Sequence, residues 1–203
     1  MTEWSDTGRV AEYLTREIPH RASAEEMLLA ALPERVERVL DLGTGDGRML
    51  ALVRELHPGA EAVGLDSSTP MLERAEERFG GAGGVRLSEH DLSAPLREEA
   101  GFDAIVSGLA IHHLDDERKR ELFTEAHSLL SPGGVFANLD LVTAASPRLH
   151  ERFRREIGRV EDDPSDRLAP LMDQMEWLRE AGFVEVECHF KWLELALLVG
   201  VRP

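Results

Sequence analysis

The sequence predicts an α/β fold: a doubly wound, mostly parallel sheet with helices on both faces. Three observations point there. Val36 to Gly47 reads V-E-R-V-L-D-L-G-T-G-D-G, an apolar run that breaks into three alternate glycines and is followed at once by a helix-compatible stretch, Arg48 to Leu56. Short apolar runs then alternate with helix-period patterns along the chain, which is how parallel strands joined by crossover helices read. Finally, 203 residues suffice for one such domain with its own core.

Taken in order, Met1 to Pro33 precedes the first strand. Val10, Tyr13, Leu14 and Ile18 share one helical face, and Met27, Leu28, Ala31 and Leu32 another. Pro19 separates the two, and Ser23 is the expected N-cap of the second helix. The glycine turn needs Gly43, Gly45 and Gly47 because a residue without Cβ takes positive φ and lets a ligand approach the backbone. The helix start behind it offers free N–H groups and the positive end of a dipole. Glu61 to Asp66 reads as the second strand, ending in an acid about twenty residues beyond the turn, and Ser67 and Ser68 lead into a helix carrying Met71, Leu72 and Ala75 on its apolar face. Val85 to Ser88 is a short third strand after a glycine-rich loop, followed by Glu89-His90-Asp91-Leu92. Phe102 to Leu109 is the fourth strand, Ala110 to Leu114 a loop with two histidines, and Asp115 the N-cap of a helix from Arg118 to Leu130. Ser131-Pro132-Gly133-Gly134 reads as a tight turn into a fifth strand, Val135 to Leu141. Helices over Arg148 to Val160 and Leu171 to Ala181 precede two closing strands, Phe183 to Phe190 and Leu193 to Val201, with a turn at Lys191-Trp192. No composition break follows Pro33, so one domain is expected: a helical cap (1–33), a ligand-binding core (34–145), and lid helices with closing strands (146–203).

The pattern Asp41-x-Gly43-x-Gly45-x-Gly47 departs from the dinucleotide fingerprint, because the third glycine comes one position early and Arg48 stands where that fingerprint has Gly. It resembles the first motif of the class I S-adenosylmethionine-dependent methyltransferases, and the resemblance covers Val36 to Leu141 in order and spacing. It implies a Rossmann-like, seven-stranded sheet whose last strand is antiparallel, and S-adenosylmethionine as cofactor. On the matching positions it implies that Asp41, Gly43, Thr44, Gly45 and Gly47 cradle the methionine half and that Asp66 accepts from ribose hydroxyls. Ser67 and Met71 then lie beside the adenine, which Asp91 and Leu92 meet through its amino group and ring, while Ser107 closes the fourth strand against the cofactor. From the cap, Arg21 is expected to pair with the cofactor carboxylate and Tyr13 to donate a hydrogen bond. His112, ahead of His113, is the expected proton acceptor, since imidazole titrates near neutrality. The solvated alternative for each cap residue, and a purely structural role for either histidine, stay open.

Net charge is −16, which disfavours nucleic acid as a substrate. A small molecule is the expected partner, and the composition leaves a homo-oligomer open. No apolar run reaches membrane-spanning length, and the polar N-terminus with a single cysteine, Cys188, leads to an expected cytoplasmic location. No metal is expected: the fourth and fifth strands offer Asp140 but only Ser107-Gly108 opposite, and no Cys/His cluster suggests zinc. The expected reaction is in-line methyl transfer, where orientation and water exclusion do most of the work. Two alternatives accompany it. Ile18-Pro19-His20-Arg21 and the closing E-C-H-F-K-W resemble carboxy-S-adenosylmethionine synthase, and a cofactor-binding fold without turnover would serve as a regulatory subunit.

Overall fold

The computed structural model describes residues 17–203. Tyr13 and the first expected helix lie outside the described residues, so the role proposed for Tyr13 has no geometry. The described elements run α1 (Arg21–Ala31), β1 (Arg38–Leu42), α2 (Arg48–Leu56), β2 (Glu61–Asp66), α3 (Thr69–Phe79), β3 (Val85–Glu89), β4 (Phe102–Gly108), a 3-10 turn (Ile111–His113), α4 (Asp116–Leu129), β5 (Leu130–Leu141), α5 (Pro147–Glu156), α6 (Leu171–Glu180), β6 (Val184–Trp192) and β7 (Leu195–Val201).

The seven strands form one sheet in the order β3-β2-β1-β4-β5-β7-β6. β3 to β5 pair in parallel, and β7 runs antiparallel to both β5 and β6. The order reverses at β1 and β4, so a crevice opens at the carboxyl ends of those two strands, where ligands bind in open α/β sheets. The expected fold class is therefore the observed one.

Alternate residues of the central strands feed two cores. Val39, Ala104, Val106 and Ala137 meet α1 and α2 on one face, through Leu28, Leu50 and Val53. Leu40, Leu42, Ile105 and Phe136 meet α4 and α6 on the other, through Leu122, Phe123, Trp177 and Leu178. Burial on both faces is why these strands read as unbroken apolar runs rather than alternating ones. Each Val, Leu, Ile or Phe among them contributes about 1.5–3 kcal/mol when fully removed from water.

Several boundaries differ from expectation, among them the end of α5, which stops at Glu156 and not at Val160. α1 begins two residues before Ser23: its N-cap is His20, in the left-handed region at φ 66°, with no side-chain cap. Ser131 to Gly134 is not a free turn but the start of β5, where Phe102 pairs with Leu130 and the register shifts before Ala104. The reason is backbone pairing, since the Gly133 N–H donates to the Arg202 carbonyl and the Arg202 N–H to the Gly134 carbonyl. The last hairpin turns at Leu193-Glu194, after Trp192, with Leu193 at φ 49°. Asp115 does cap α4, accepting from the Arg118 N–H at 2.9 Å.

Candidate functional site

The glycine turn leaves β1 and closes on β2. The N–H groups of Gly43 and Thr44 both donate to the Leu65 carbonyl, at 2.8 and 2.9 Å. Gly43, Gly45 and Gly47 all have positive φ, at 74°, 55° and 78°. Their duties differ. A Cβ on Gly43 would lie 2.1 Å from the Ala110 side chain, so Gly43 is what lets the histidine loop cross the turn. Gly45 has a single neighbour within reach, the tip of Met71, and faces open space otherwise. Gly47 caps α2 against the Phe79 ring and Ala75, and lines neither of the two cavities described next; its job is packing rather than ligand contact.

Two cavities meet at this turn and share Gly43, Gly45, Met71 and Gly108. The first runs past the ends of β2 and β3 and is walled by Asp66, Ser67, Asp91, Leu92 and His113, among others. The second runs toward α1 and is walled by Asp41, Thr44, Arg48, Arg21 and His20. Of the expected cofactor contacts, Asp41, Gly43, Thr44, Gly45, Asp66, Ser67, Met71, Asp91, Leu92 and Arg21 all reach one cavity or the other. Ser107 does not: it is fully buried, and its hydroxyl donates to the Leu42 carbonyl at 2.7 Å, stitching β4 to β1. The expectation for Ser107 is corrected to a structural one.

Asp41 is the most unusual carboxylate here. It is buried in β1, and the Thr44 hydroxyl donates to one of its oxygens at 2.7 Å. Its other oxygen, Oδ1, has no hydrogen-bond partner among the described residues. Gly64, opposite in the register, leaves the space that Thr44 fills. Burial pushes the Asp41 carboxyl up to about 7, with Thr44 opposing and the nearby Asp66 and Asp46 adding to the rise. A buried, half-satisfied acid on a cavity wall is set to receive a cationic donor.

Asp66 braces the turn from β2. Its two oxygens accept from the N–H groups of Gly45 and Ser68, each at 2.8 Å. Burial raises its carboxyl, and the N–H groups of Ser68, Gly45 and Ser67 partly offset that. Carboxylate oxygens have further lone pairs, so this bracing leaves capacity for vicinal hydroxyls. Asp91 accepts from the Ser93 N–H at 2.9 Å. Leu92, whose carbonyl takes the Arg118 guanidinium at 2.8 Å, is held from behind. His90, on the same wall, was not singled out from sequence; its Nε2 is buried without a hydrogen bond. Its position inside Glu89-His90-Asp91-Leu92 was the only signal.

Arg21 reaches the second cavity with its charge engaged: its Nε donates to Glu25 at 2.8 Å. Arg48 clamps the same carboxylate through Nε and Nη2, at 2.8 and 2.6 Å. Glu25 is buried, and burial alone would raise it, but Arg48 and Arg21 more than offset that and hold it below the ordinary carboxylate value.

The two histidines exchange their expected ranks. His113 lines the first cavity, whereas His112 lines neither and is buried behind it. The rings of the 3-10 turn stay in contact, centroids 4.0 Å apart and tilted by 42°, but only the His113 ring reaches the cavity. The His112 N–H donates to Asp140 Oδ2 at 2.8 Å, its ring Nδ1 bonds to Asp140 Oδ1, and its Nε2 faces Asp166 at 3.5 Å. Burial works to lower the His112 imidazole, but Asp140 and Asp166 outweigh it and hold it above its ordinary value. His113 is pushed down to about 4, chiefly by burial and then by the charge of His112. It is neutral near pH 7 and shares the wall of the first cavity with His90, its Nδ1 lying 3.2 Å from the Ser165 hydroxyl. Asp140 and Asp166 were not named as site residues from sequence.

The arrangement agrees with the comparisons with known proteins. Residues 39–134 match the family described as "Methyltransferase domain". An uncharacterized methyltransferase of Mycobacterium bovis is 36% identical over 119 residues, 59% of this chain and 58% of its own length. A carboxy-S-adenosyl-L-methionine synthase of Nautilia profundicola is 22% identical over 82% of this chain and 77% of its own. Among solved structures, the apo form of the S-adenosylmethionine-dependent methyltransferase SibL superposes with a TM-score of 0.71 at 26% identity, over 90% of this chain and 55% of that one. The chain thus spans a little over half the length of the Mycobacterium relative. Over residues 39–134 it is similar to the methyltransferase-domain family, and its fold superposes on that of an S-adenosylmethionine-dependent methyltransferase.

Proposed function

We propose that this chain is an S-adenosylmethionine-dependent methyltransferase that alkylates a small molecule. The observation that carries the reading is the pair of cavities meeting over Gly43 and Gly45, one ending in a buried acid with an orphaned oxygen and the other in Asp66 and Asp91. Asp41 with Thr44 and the Gly45 backbone would hold the amino-acid end of the cofactor. Asp66 would take the ribose hydroxyls, and Ser67, Met71, Asp91 and Leu92 the base. Arg21, paired to Glu25, would meet the carboxylate. When bound, the cofactor supplies an activated methyl on a positively charged sulfur. The protein's own work is to align an acceptor beside Gly108 and Ala110, exclude water behind the apolar wall, and offer His113 as a proton acceptor. A small acceptor fits the net charge of −16, which repels phosphate backbones.

Calorimetry with S-adenosylhomocysteine tests this. The parent chain should bind one equivalent, and Asp66→Ala should lower affinity by about tenfold or more, since it loses a charged acceptor for two hydroxyls. Unchanged affinity in that variant would place the ligand elsewhere. Mass spectrometry of ligand retained through purification separates the ordinary cofactor from a carboxylated one, the outcome that the synthase likeness would favour.

A further inference from the structure

We propose that His112 Nε2, His113 Nδ1 and Asp166 Oδ1 form a site for one divalent transition-metal cation of the zinc class. The three donor atoms lie within 4.8 Å of one another. Asp166 Oδ1 is 3.5 Å from His112 Nε2 and 3.8 Å from His113 Nδ1. Donors about 2.0–2.1 Å from a tetrahedral zinc stand about 3.3 Å apart, so the two Asp166 separations are near that spacing, and His113 Nδ1 would exchange its 3.2 Å contact with the Ser165 hydroxyl for the ion.

Two independent features mark the cluster as built for a cation. First, the His112 ring is oriented from behind: Asp140 takes its Nδ1, which directs the Nε2 lone pair of the neutral ring at Asp166. A carboxylate behind a histidine is the usual partner of a metal-bound imidazole, fixing its tautomer and raising its basicity. Second, Asp166 Oδ1 is buried with no hydrogen bond, while Arg159 holds the other oxygen at 3.2 Å. A lone pair and a carboxylate oxygen facing each other without a donor need a positive charge between them, either a proton or a metal ion. Around the cluster, Asp140, Asp163 and Asp166 outnumber the single guanidinium of Arg159, so the local charge favours a cation. Two imidazoles and one carboxylate suit zinc, iron, nickel or cobalt rather than magnesium or calcium, which prefer oxygen alone.

Asp166 arrives from the segment between α5 and α6, more than fifty residues from the histidines. That segment is already docked: the Arg167 N–H donates to the His112 carbonyl at 2.8 Å, and the Thr143 N–H to the Ala169 carbonyl at 3.0 Å. A bound metal would lock it onto the histidine loop, at the edge of the cavity that His113 lines. The proposal does not depend on methyl transfer.

The test uses the full chain, stripped with chelator and titrated at neutral pH with Zn²⁺ against a chromophoric competitor. One tight equivalent is expected, with Mg²⁺ failing to displace it. Asp166→Asn should weaken it by about 100-fold, and Asp140→Asn, which acts through His112, by about 10- to 100-fold. His189→Gln, an exposed histidine on β6, should leave it unchanged. Because Asp166→Asn removes an acid that also binds Arg159, circular dichroism and S-adenosylhomocysteine binding are read on every variant, and Asp140→Asn gives a second route if the first misfolds. Zinc binding with or without retained S-adenosylhomocysteine binding keeps the two readings separable. Zinc affinity that is absent in the parent, equal in Asp166→Asn and Asp140→Asn, or lost in His189→Gln would overturn the site.

Discussion

Asp41 is the side chain on which the proposed cofactor site makes its sharpest pH prediction. Its carboxyl, ordinarily near 3.8, stands at about 7 because burial penalises the charge and only the Thr44 hydroxyl supports it. A cationic ammonium binds the charged form, so affinity should rise with pH until the free protein has released that proton. Between roughly pH 6 and pH 8 the charged fraction grows about tenfold, and S-adenosylhomocysteine affinity measured by calorimetry should follow it. Asp41→Asn should bind weakly and with a flatter profile; a parent profile that is flat or falls would contradict the role. Stability moves the other way. The native carboxyl keeps its proton up to about 7 and the unfolded one loses it near 3.8, so the native state binds more protons in that window and stability declines as pH rises through it. At this scale, Asp66 and Asp91 were legible because they follow strand ends at set spacings. Ser107 was misread because its partner, the Leu42 carbonyl, is a backbone atom 65 residues away that no spacing reveals. The order of His112 and His113 was equally hidden, since one residue of rotation in a 3-10 turn decides which ring meets the cavity.

Among the elements, α1 walls the second cavity and is tied to the glycine turn through a residue not foreseen. Glu25, buried in α1, joins Arg21 of the same helix to Arg48 at the start of α2, so it fixes the floor of the second cavity to the glycine turn. Glu25→Ala should cost about 1–2 kcal/mol in denaturant unfolding at neutral pH, at the lower end because the half-exposed Arg48 regains water. The carboxyl sits below its ordinary 4.5, so its contribution is present above that value and is lost as pH falls through the depressed one. The difference between parent and variant should therefore shrink as pH falls below 4.5; a difference that is constant across pH would mean that packing, and not the ion pairs, holds α1. Of the basic residues of α5, Arg152 and Arg155 are exposed and Arg154 is half-buried: Arg152 pairs with Glu156 at 3.6 Å and Arg154 with Asp162 at 3.2 Å. Local signals located these helices to within a few residues. They missed the strand pairing of Ser131 to Gly134, because that depends on Arg202 at the far end of the chain.

For the whole molecule, the sheet order places β1 and β4 side by side with their neighbours diverging, and the two cavities open along the carboxyl ends of β1 to β4. This much follows from strand-helix alternation and one glycine turn, which is why the fold was readable. The segment carrying Asp166 was not, since its docking depends on long-range backbone pairing with the histidine loop and with Thr143. Among the described residues no helix is long and apolar enough to cross a membrane. The account rests on a crevice shaped for an adenosyl amino acid and not for a dinucleotide. Paired calorimetric titrations of the same preparation with S-adenosylhomocysteine and with NAD address it most directly. The account predicts saturable one-to-one binding of the first and no heat from the second; binding of NAD with none of S-adenosylhomocysteine would contradict it.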